Sequence, residues 1–307
     1  MAALAGRRNA LAAPLAALPL MIGLVAGAMV LKTGFTGGAP EIPLVSSPQT
    51  VVIAPRTFSY RAPGEYTRGG YAVDAPMLEV SATRALTIMK HQVSKGDYAR
   101  CVADGACAPP EPEFNTPGND NVPATGISFD DARIYAEWLS RQTGEVWLLP
   151  TDEQLAFAAG SRFPDDALGT GEEDASNSNP ATRWLENYRR ETARGLARDP
   201  APKPLGAFGE NEYGLADFGG NVWEWTTSCY RRIALDGAGR TGTDTTSCGV
   251  QLVAGQHRAA MVFFVRNPKG GGCAVGTPPD NLGFRLVKDT RWYASLIKAL
   301  RDRGLLS

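Results

Sequence analysis

Residues 217–226 read "DFGGNVWEWT", and this stretch carries the strongest structural signal in the 307-residue chain. Two tryptophans flank one glutamate, Glu224, inside a run that otherwise has the composition of a buried strand. Residues two apart on an extended backbone point to the same side. We therefore expect both tryptophans to enter the core, and Glu224 to point the other way and to need a partner of its own.

A calcium ion is one possible partner for this carboxylate. The carboxylates of Asp217 and Glu224 and the backbone carbonyls of Gly220 and Val222 follow one another at spacings that let them converge. Together they offer four of the hard oxygen ligands that Ca²⁺ prefers. The alternative is a strand in which Glu224 pairs with an arginine, and the spacing leaves both interpretations open.

Composition and charge exclude several classes of protein. The chain is 43% hydrophobic and 21% charged, as expected of globular protein with one large domain or two small ones. Its formal charge of -1 and its scattered Lys and Arg offer no positive face, so nucleic acid is not expected as a partner. With two histidines, His91 and His257, one chain cannot build a metal site from several imidazoles.

The amino terminus has the pattern of a membrane segment. Arg7 and Arg8 precede about 22 residues without a charge, 10–31, enough to cross a bilayer core of ~30 Å as a helix. We expect residues 1–32 to be a signal anchor, which places the protein in the inner membrane as a single-pass protein with its domain in the periplasm. The alternative is a cleaved signal followed by secretion to the periplasm, because Ala26 and Ala28 suit a signal peptidase.

The remaining chain divides by composition. Residues 33–75 are rich in Gly, Pro, Ser and Thr and are predicted to form a linker that contains one short β-like run, "TVVIA", at residues 50–54. Residues 76–290 alternate short helices with strand-like and loop-rich segments, which predicts one irregular α+β domain. Residues 291–307 are predicted to form a C-terminal helical tail.

Three helices in this domain share one pattern of start and stop residues. Each begins at Ser or Thr with Asp or Gln three residues later, and each ends at a glycine. The starting residues are Ser94, Ser128 and Thr151, and the glycines are Gly105, Gly144 and Gly160. In the second helix Ala132, Tyr135, Trp138 and Leu139 form one apolar stripe, which predicts core packing.

The five cysteines fit an exported protein. Cys101 and Cys107 bracket a helix end, and Cys229 and Cys248 bracket a polar loop, so pairing of sequence neighbours is the simplest connectivity. The sequence leaves other pairings open. Cys273 then remains as a thiol that is either buried and inert or reactive.

Three blocks of the chain together resemble the sulfatase-modifying-factor family, the formylglycine-generating enzymes and their relatives. The blocks are "ATGISFDDARIYAEWLSRQTGEVWLLPTDEQLAFAAG", "GLADFGGNVWEWT" and "NLGFRLV". The resemblance covers about residues 76–288 and implies an irregular α+β fold similar to C-type lectins, with bound calcium.

The family's calcium sites match two places in this sequence. A ladder like Asp217, Gly220, Val222 and Glu224 holds one ion in the family. A second family site begins with an asparagine and the carbonyl that follows it, which implies Asn187 and Tyr188 here. The acid downstream is not clear from the sequence, and Asp199 is a candidate.

The resemblance weakens at the catalytic residues. Formylglycine-generating enzymes use two cysteines spaced five apart to bind copper(I) and to oxidise a substrate cysteine with O₂. Cys273 matches the second of the pair and is the candidate catalytic residue, but Pro268 stands five residues earlier and has no thiol. Copper is therefore not expected. The related sulfoxide synthases bind iron through histidines in an added helical domain, which two histidines cannot supply.

Two classes of function remain. The first is an accessory or maturation factor without copper chemistry, which acts on a periplasmic client protein or peptide. The exported, anchored organisation and the helix end "CVADGAC" resemble the nitrite-reductase accessory proteins called NirV. The second is an O₂-dependent oxidase of formylglycine-generating type that uses Cys273 with an unconventional partner. A non-catalytic, lectin-like binding module is a third reading.

Overall fold

The computed structural model describes residues 45–114, 118–167, 199–270 and 278–303, together with residues 182, 185, 186, 188, 189, 193 and 305. Within these ranges, none of the helices has the length and apolar character that crossing a bilayer requires. The predicted anchor at residues 1–32 lies outside them, so the structure does not test it.

In the described part of the chain, the strands form three sheets. One antiparallel sheet has the order β1 (Thr50–Ile53), β6 (Leu86–Met89), β12 (Val287–Lys288), β7 (Trp147–Leu148). A second pairs β2 (Arg56–Arg61) with β5 (Met77–Ala82). The third runs β10 (Arg258–Val262), β9 (Thr241–Ala254), β8 (Trp223–Leu235), β3 (Glu65–Arg68), β4 (Tyr71–Val73), and β11 (Leu282–Gly283) also pairs with β8.

Four α-helices are described in addition: α1 (Lys95–Ala103), α2 (Phe129–Thr143), α3 (Asp152–Ala159) and α4 (Ala294–Asp302). The first three begin at the predicted caps, with full capping boxes at Ser128 and Thr151. The predicted stripe of α2 is buried, as expected. The helix α4 lies within the predicted C-terminal tail. The fold is thus a mixed arrangement of sheets with few helices.

Within the predicted linker at residues 33–75, the β-like run "TVVIA" forms β1 as expected, but the linker prediction is wrong from Arg56 onward. Residues 50–73 form β1 to β4, and Ile53 and Tyr60 are buried. Residues from Pro43 on belong to one compact unit. The composition was misleading because these strands have three to six residues each, and the Gly and Pro between them belong to tight turns.

A long hairpin carries the stretch with two tryptophans. Strands β8 and β9 pair from Glu224 opposite Ala254 to Leu235 opposite Thr241. Trp223 and Trp225 are buried in the larger apolar cluster, as predicted, and each indole N–H donates to a backbone carbonyl. The parallel strand β11 lies beside the start of β8, with Gly283 opposite Glu224. This pairing brings the "NLGFR" block next to the tryptophans.

Candidate functional site: a buried charge cluster and a neighbouring cleft

Glu224 is fully buried and its partner is an arginine. Arg285 Nε donates to Glu224 Oε2 at 2.6 Å, and Arg285 Nη2 donates to Oε1 at 2.7 Å. Gln92 Nε2 also donates to Oε1, at 2.7 Å. Two parallel charge-assisted bonds of this kind are the strongest geometry that a carboxylate and a guanidinium can form. The arginine alternative for Glu224 is therefore the arrangement that the structure shows.

Arg285 is equally buried, and all of its donors are used. Besides Glu224, it donates to the carbonyl oxygens of Met89, Lys90 and Ala216 at 2.9–3.3 Å. These carbonyls belong to the end of β6 and to the loop that precedes β8. The arginine thus links the first sheet, that loop and the hairpin through one side chain without exposure to solvent.

Asp217 is the other acid of the predicted ladder. It has a φ of 62°, an unusual conformation that Asp tolerates better than most residues. Its carboxylate accepts hydrogen bonds from the backbone N–H groups of Gly206, at 2.6 Å, and Phe208, at 2.9 Å. His91 Nδ1 lies 3.4 Å from the same carboxylate. Asp217 therefore fixes the turn at residues 206–209 against the loop before β8.

The ladder in this arrangement does not fit a Ca²⁺ ion. Every oxygen of the Asp217 and Glu224 carboxylates already accepts a hydrogen bond, and the Arg285 guanidinium supplies the positive charge beside Glu224. An ion would have to displace that guanidinium. Among the described residues no group of three or more His, Cys, Asp or Glu could hold a metal. Calcium at this ladder is thus an expectation from the family resemblance that the arrangement of Arg285 and Glu224 does not favour.

The second predicted calcium site cannot be assembled from the described residues. Asn187 lies outside them. Tyr188 is described and its side chain is exposed, and Asp199 is an exposed carboxylate that pairs with Lys203. This site also stays a prediction.

Both predicted disulfides are present. Cys101 is bonded to Cys107, and Cys229 is bonded to Cys248 across the β8–β9 hairpin. Cys273 lies outside the described residues, and no other cysteine remains to pair with it within the chain. Pro268 is described: it is buried and begins the short 3-10 helix Pro268–Gly270. The position five residues before Cys273 is therefore a packed proline.

A cleft of about 1050 Å³ opens beside this 3-10 helix. Lys269, before the segment with Cys273, and Asp280 and Asn281, after it, all line the cleft. Its walls are apolar, with charged groups at several positions. The apolar lining includes Tyr98, Val102, Pro109, Pro110, Phe114, Val122 and Pro123, and the charged lining comprises Lys95, Glu113, Asp120, Lys269 and Asp280.

The first turn of α1 is hydrogen-bonded to the loop at residues 120–122, and both line the cleft. Backbone N–H groups of Lys95 and Gly96 donate to the carbonyls of Val122 and Asp120 at 2.8 and 3.0 Å. A Cβ at Gly96 would approach the Cβ of Asp120 to 3.0 Å, so glycine permits this close approach. The start of α1 and the loop at residues 120–122 therefore form one unit.

One wall of the cleft is fixed by Tyr98 and the Cys101–Cys107 disulfide. The Tyr98 hydroxyl donates to the carbonyl of Ala108 at 3.0 Å. Burial, as the largest cause, raises the pKa of Tyr98 well above its usual range, so the hydroxyl keeps its proton and remains a donor. Arg266 forms two hydrogen bonds of 2.7 and 2.8 Å with Asp131 and donates to the carbonyl of Pro109, which lines the cleft.

Arg285, Gln92 and the residues that line the cleft were not predicted from the sequence. Arg285 stands in the quoted "NLGFRLV" block, and a charged residue within an apolar block indicates a buried ion pair. The cleft has no such signal, because its lining comes from five separate segments of the chain.

Comparison with known proteins agrees with this fold. The family model described as "Sulfatase-modifying factor enzyme 1-like domain" matches residues 38–290, so the chain belongs to the sulfatase-modifying-factor family. "Inactive C-alpha-formylglycine-generating enzyme 2" of Bos taurus is 30% identical over 169 residues, which are 53% of this chain and 49% of that protein. "Formylglycine-generating enzyme" of Mycobacterium tuberculosis is 32% identical over 184 residues, 54% of this chain and 57% of the relative.

The match spans about half the length of these curated relatives. Among solved structures, PvdO from Pseudomonas aeruginosa is similar, with a TM-score of 0.50 and 20% identity over 82% of this chain and all of that one. That likeness concerns the fold alone.

Proposed function

We propose that the protein is an exported, membrane-anchored maturation factor that binds a segment of a periplasmic client without copper chemistry. A single feature carries the proposal: four of the five cysteines are in disulfides, and a buried proline stands where the family's copper site needs its first thiolate. Copper(I) needs two soft donors for tight, near-linear binding, and Cys273 supplies one. The relative described as inactive supports a role for this fold without catalysis.

The cleft is the proposed binding site for the client. An extended peptide needs an elongated apolar surface for its side chains and polar groups at the rim for its backbone. The cleft offers Tyr98, Phe114 and several prolines on its walls, with Lys95, Lys269 and Asp120 nearby. More specifically, we propose a NirV-like role, with a periplasmic enzyme such as nitrite reductase as the client. The exported organisation expected from the sequence supports this assignment.

The alternative is a formylglycine-generating oxidase that uses Cys273, and the similarity to the enzyme of M. tuberculosis favours it. One assay distinguishes the oxidase from the maturation factor. The purified full chain is incubated with copper(I), O₂ and a sulfatase-type cysteine peptide, and the peptide is weighed by mass spectrometry. The enzyme of M. tuberculosis serves as positive control. We expect no conversion; conversion that is lost in Cys273→Ala would establish the oxidase.

Peptide binding is tested separately from catalysis. Ala99 lines the cleft on the exposed side of α1, and Ala103 is exposed on the same helix but does not line the cleft. Peptides that bind the wild-type protein are selected from a random pool. Their binding to Ala99→Trp and Ala103→Trp is then compared with their binding to the wild type. We expect the indole at position 99 to obstruct the cleft and weaken binding, and the control to bind as the wild type does. Equal binding by both variants would place the client elsewhere.

A further inference from the structure

The C-terminal helix presents apolar side chains to solvent. Trp292, two residues before α4, is 91% exposed, and Leu296 within the helix is 59% exposed; Leu305, three residues beyond the helix, is 65% exposed. Ser295, Ala299 and Arg303 are also exposed, and with Trp292 and Leu296 they follow the helical spacing of one face, which does not include Leu305. The opposite side is buried at Ala294. This face therefore has no partner among the described residues, although a tryptophan is costly to leave in water.

Charge distinguishes between possible partners for this face. Residues 291–307 carry four basic residues, Arg291, Lys298, Arg301 and Arg303, against one acidic residue, Asp302. Exposed Trp and Leu together with basic residues are the composition of helices that lie in the interface of an anionic bilayer. A second copy of the chain fits less well, because a two-fold interface would bring the same positive charges together.

The rest of the sequence points to the same partner. The uncharged segment at residues 10–31 is expected to hold the chain at a bilayer. A second, weaker contact on the same chain then forms at high effective concentration. We propose that the exposed face of α4, with Leu296 and the neighbouring Trp292, binds the surface of an anionic lipid bilayer.

The proposal is tested on the full chain reconstituted in vesicles, so that the amino-terminal segment is present in every sample. Vesicles contain brominated lipid and either phosphatidylcholine alone or phosphatidylcholine with phosphatidylglycerol. The difference in emission between wild type and Trp292→Phe isolates Trp292, because the other described tryptophans are buried in the core. We expect quenching and a blue shift of this signal in the anionic vesicles, and a clearly smaller effect in the neutral ones.

Two variants make the result specific. Leu296→Asp places a charge on the exposed face and is expected to remove the quenching, and Arg303→Glu to reduce it toward the neutral-lipid level. Val52→Asp, at an apolar residue that is 68% exposed on β1, is the matched control and should leave the signal unchanged. Equal quenching in both vesicles, no quenching in either, or a signal that depends only on protein concentration would overturn the proposal.

Discussion

Arg285 and Glu224 form a two-point ion pair from which solvent is excluded on both sides. The pair joins the two sequence blocks that identify the family, "WEW" and "NLGFR", through the parallel pairing of β8 and β11. Removing one partner of such a pair leaves an uncompensated buried charge, which costs more than the pair itself contributes. The fold therefore depends on both residues together.

The first prediction concerns this dependence. We expect Arg285→Met to lower the free energy of unfolding by about 3–5 kcal/mol, and Arg285→Met combined with Glu224→Gln to lower it by less. Denaturant melts measure both. Arg231→Met, at an exposed pair with Asp244, is the control and should cost at most about 1 kcal/mol. The pairing would be contradicted if the double variant lost as much free energy of unfolding as Arg285→Met and Glu224→Gln lose together as single variants.

Calcium provides a second prediction. Because Arg285 already neutralises Glu224, we expect thermal melts of the wild type in calcium and in chelator to coincide. An ion that binds the folded state alone at a hundred times Kd would add about 2.7 kcal/mol and raise the melting temperature by several degrees. A rise of that size would show that Glu224 gives up its contact with Arg285 and binds the ion. It would support the calcium site expected from the sequence.

The third prediction concerns the hairpin disulfide. Cys229 and Cys248 are 19 residues apart, and the chain-entropy model gives such a loop about 3 kcal/mol of stabilisation. The variant with both residues changed to Ser should lose about that amount in denaturant melts. In non-reduced peptide maps of the wild type, Cys273 should be the one cysteine that alkylates after unfolding. A peptide that links Cys273 to another cysteine would refute the pairing.

A fourth prediction follows from Asp152 at the start of α3. Burial, as the largest cause, raises the pKa of Asp152 to about 6, although Arg258 Nη1 lies 3.2 Å from its carboxylate. The folded state then binds this proton more tightly than the unfolded state, so this group's contribution to stability falls as pH rises from about 4 to about 6.

The control variant is Asp152→Asn, which leaves Arg258 paired with Asp166 at 2.6 Å. We expect the stability of the wild type relative to this variant to decrease between pH 4 and pH 6 and to level off above. Unfolding free energies from denaturant melts at pH 4.5, 5.5 and 7 check the trend. A constant difference, or one that increases with pH, would show that the carboxyl does not titrate in this range.

The sequence predicted the parts of the fold that rest on local chemistry. Caps at Ser94, Ser128 and Thr151, the buried stripe of α2 and the entry of both tryptophans into the core follow from hydrogen-bonding groups and periodicity within a few residues. The run "TVVIA" was visible as a strand, but β2 to β4 were not, because β2 pairs with β5 and the short β3–β4 hairpin is attached to the distant strand β8. Pairing of Glu224 with an arginine was one of two alternatives, but the sequence did not identify Arg285, because 61 residues separate the partners.

Copper(I) affinity tests the claim that the chain lacks the family's copper site. Pro268→Cys restores two thiols spaced five apart, and Pro268→Ala is the matched control. In competition with a chromophoric copper(I) chelator, we expect the wild type and Pro268→Ala to bind copper(I) weakly and Pro268→Cys to bind one ion far more tightly. Tight one-to-one binding by the wild type that is lost in Cys273→Ala would contradict the claim, because a second ligand would then be present.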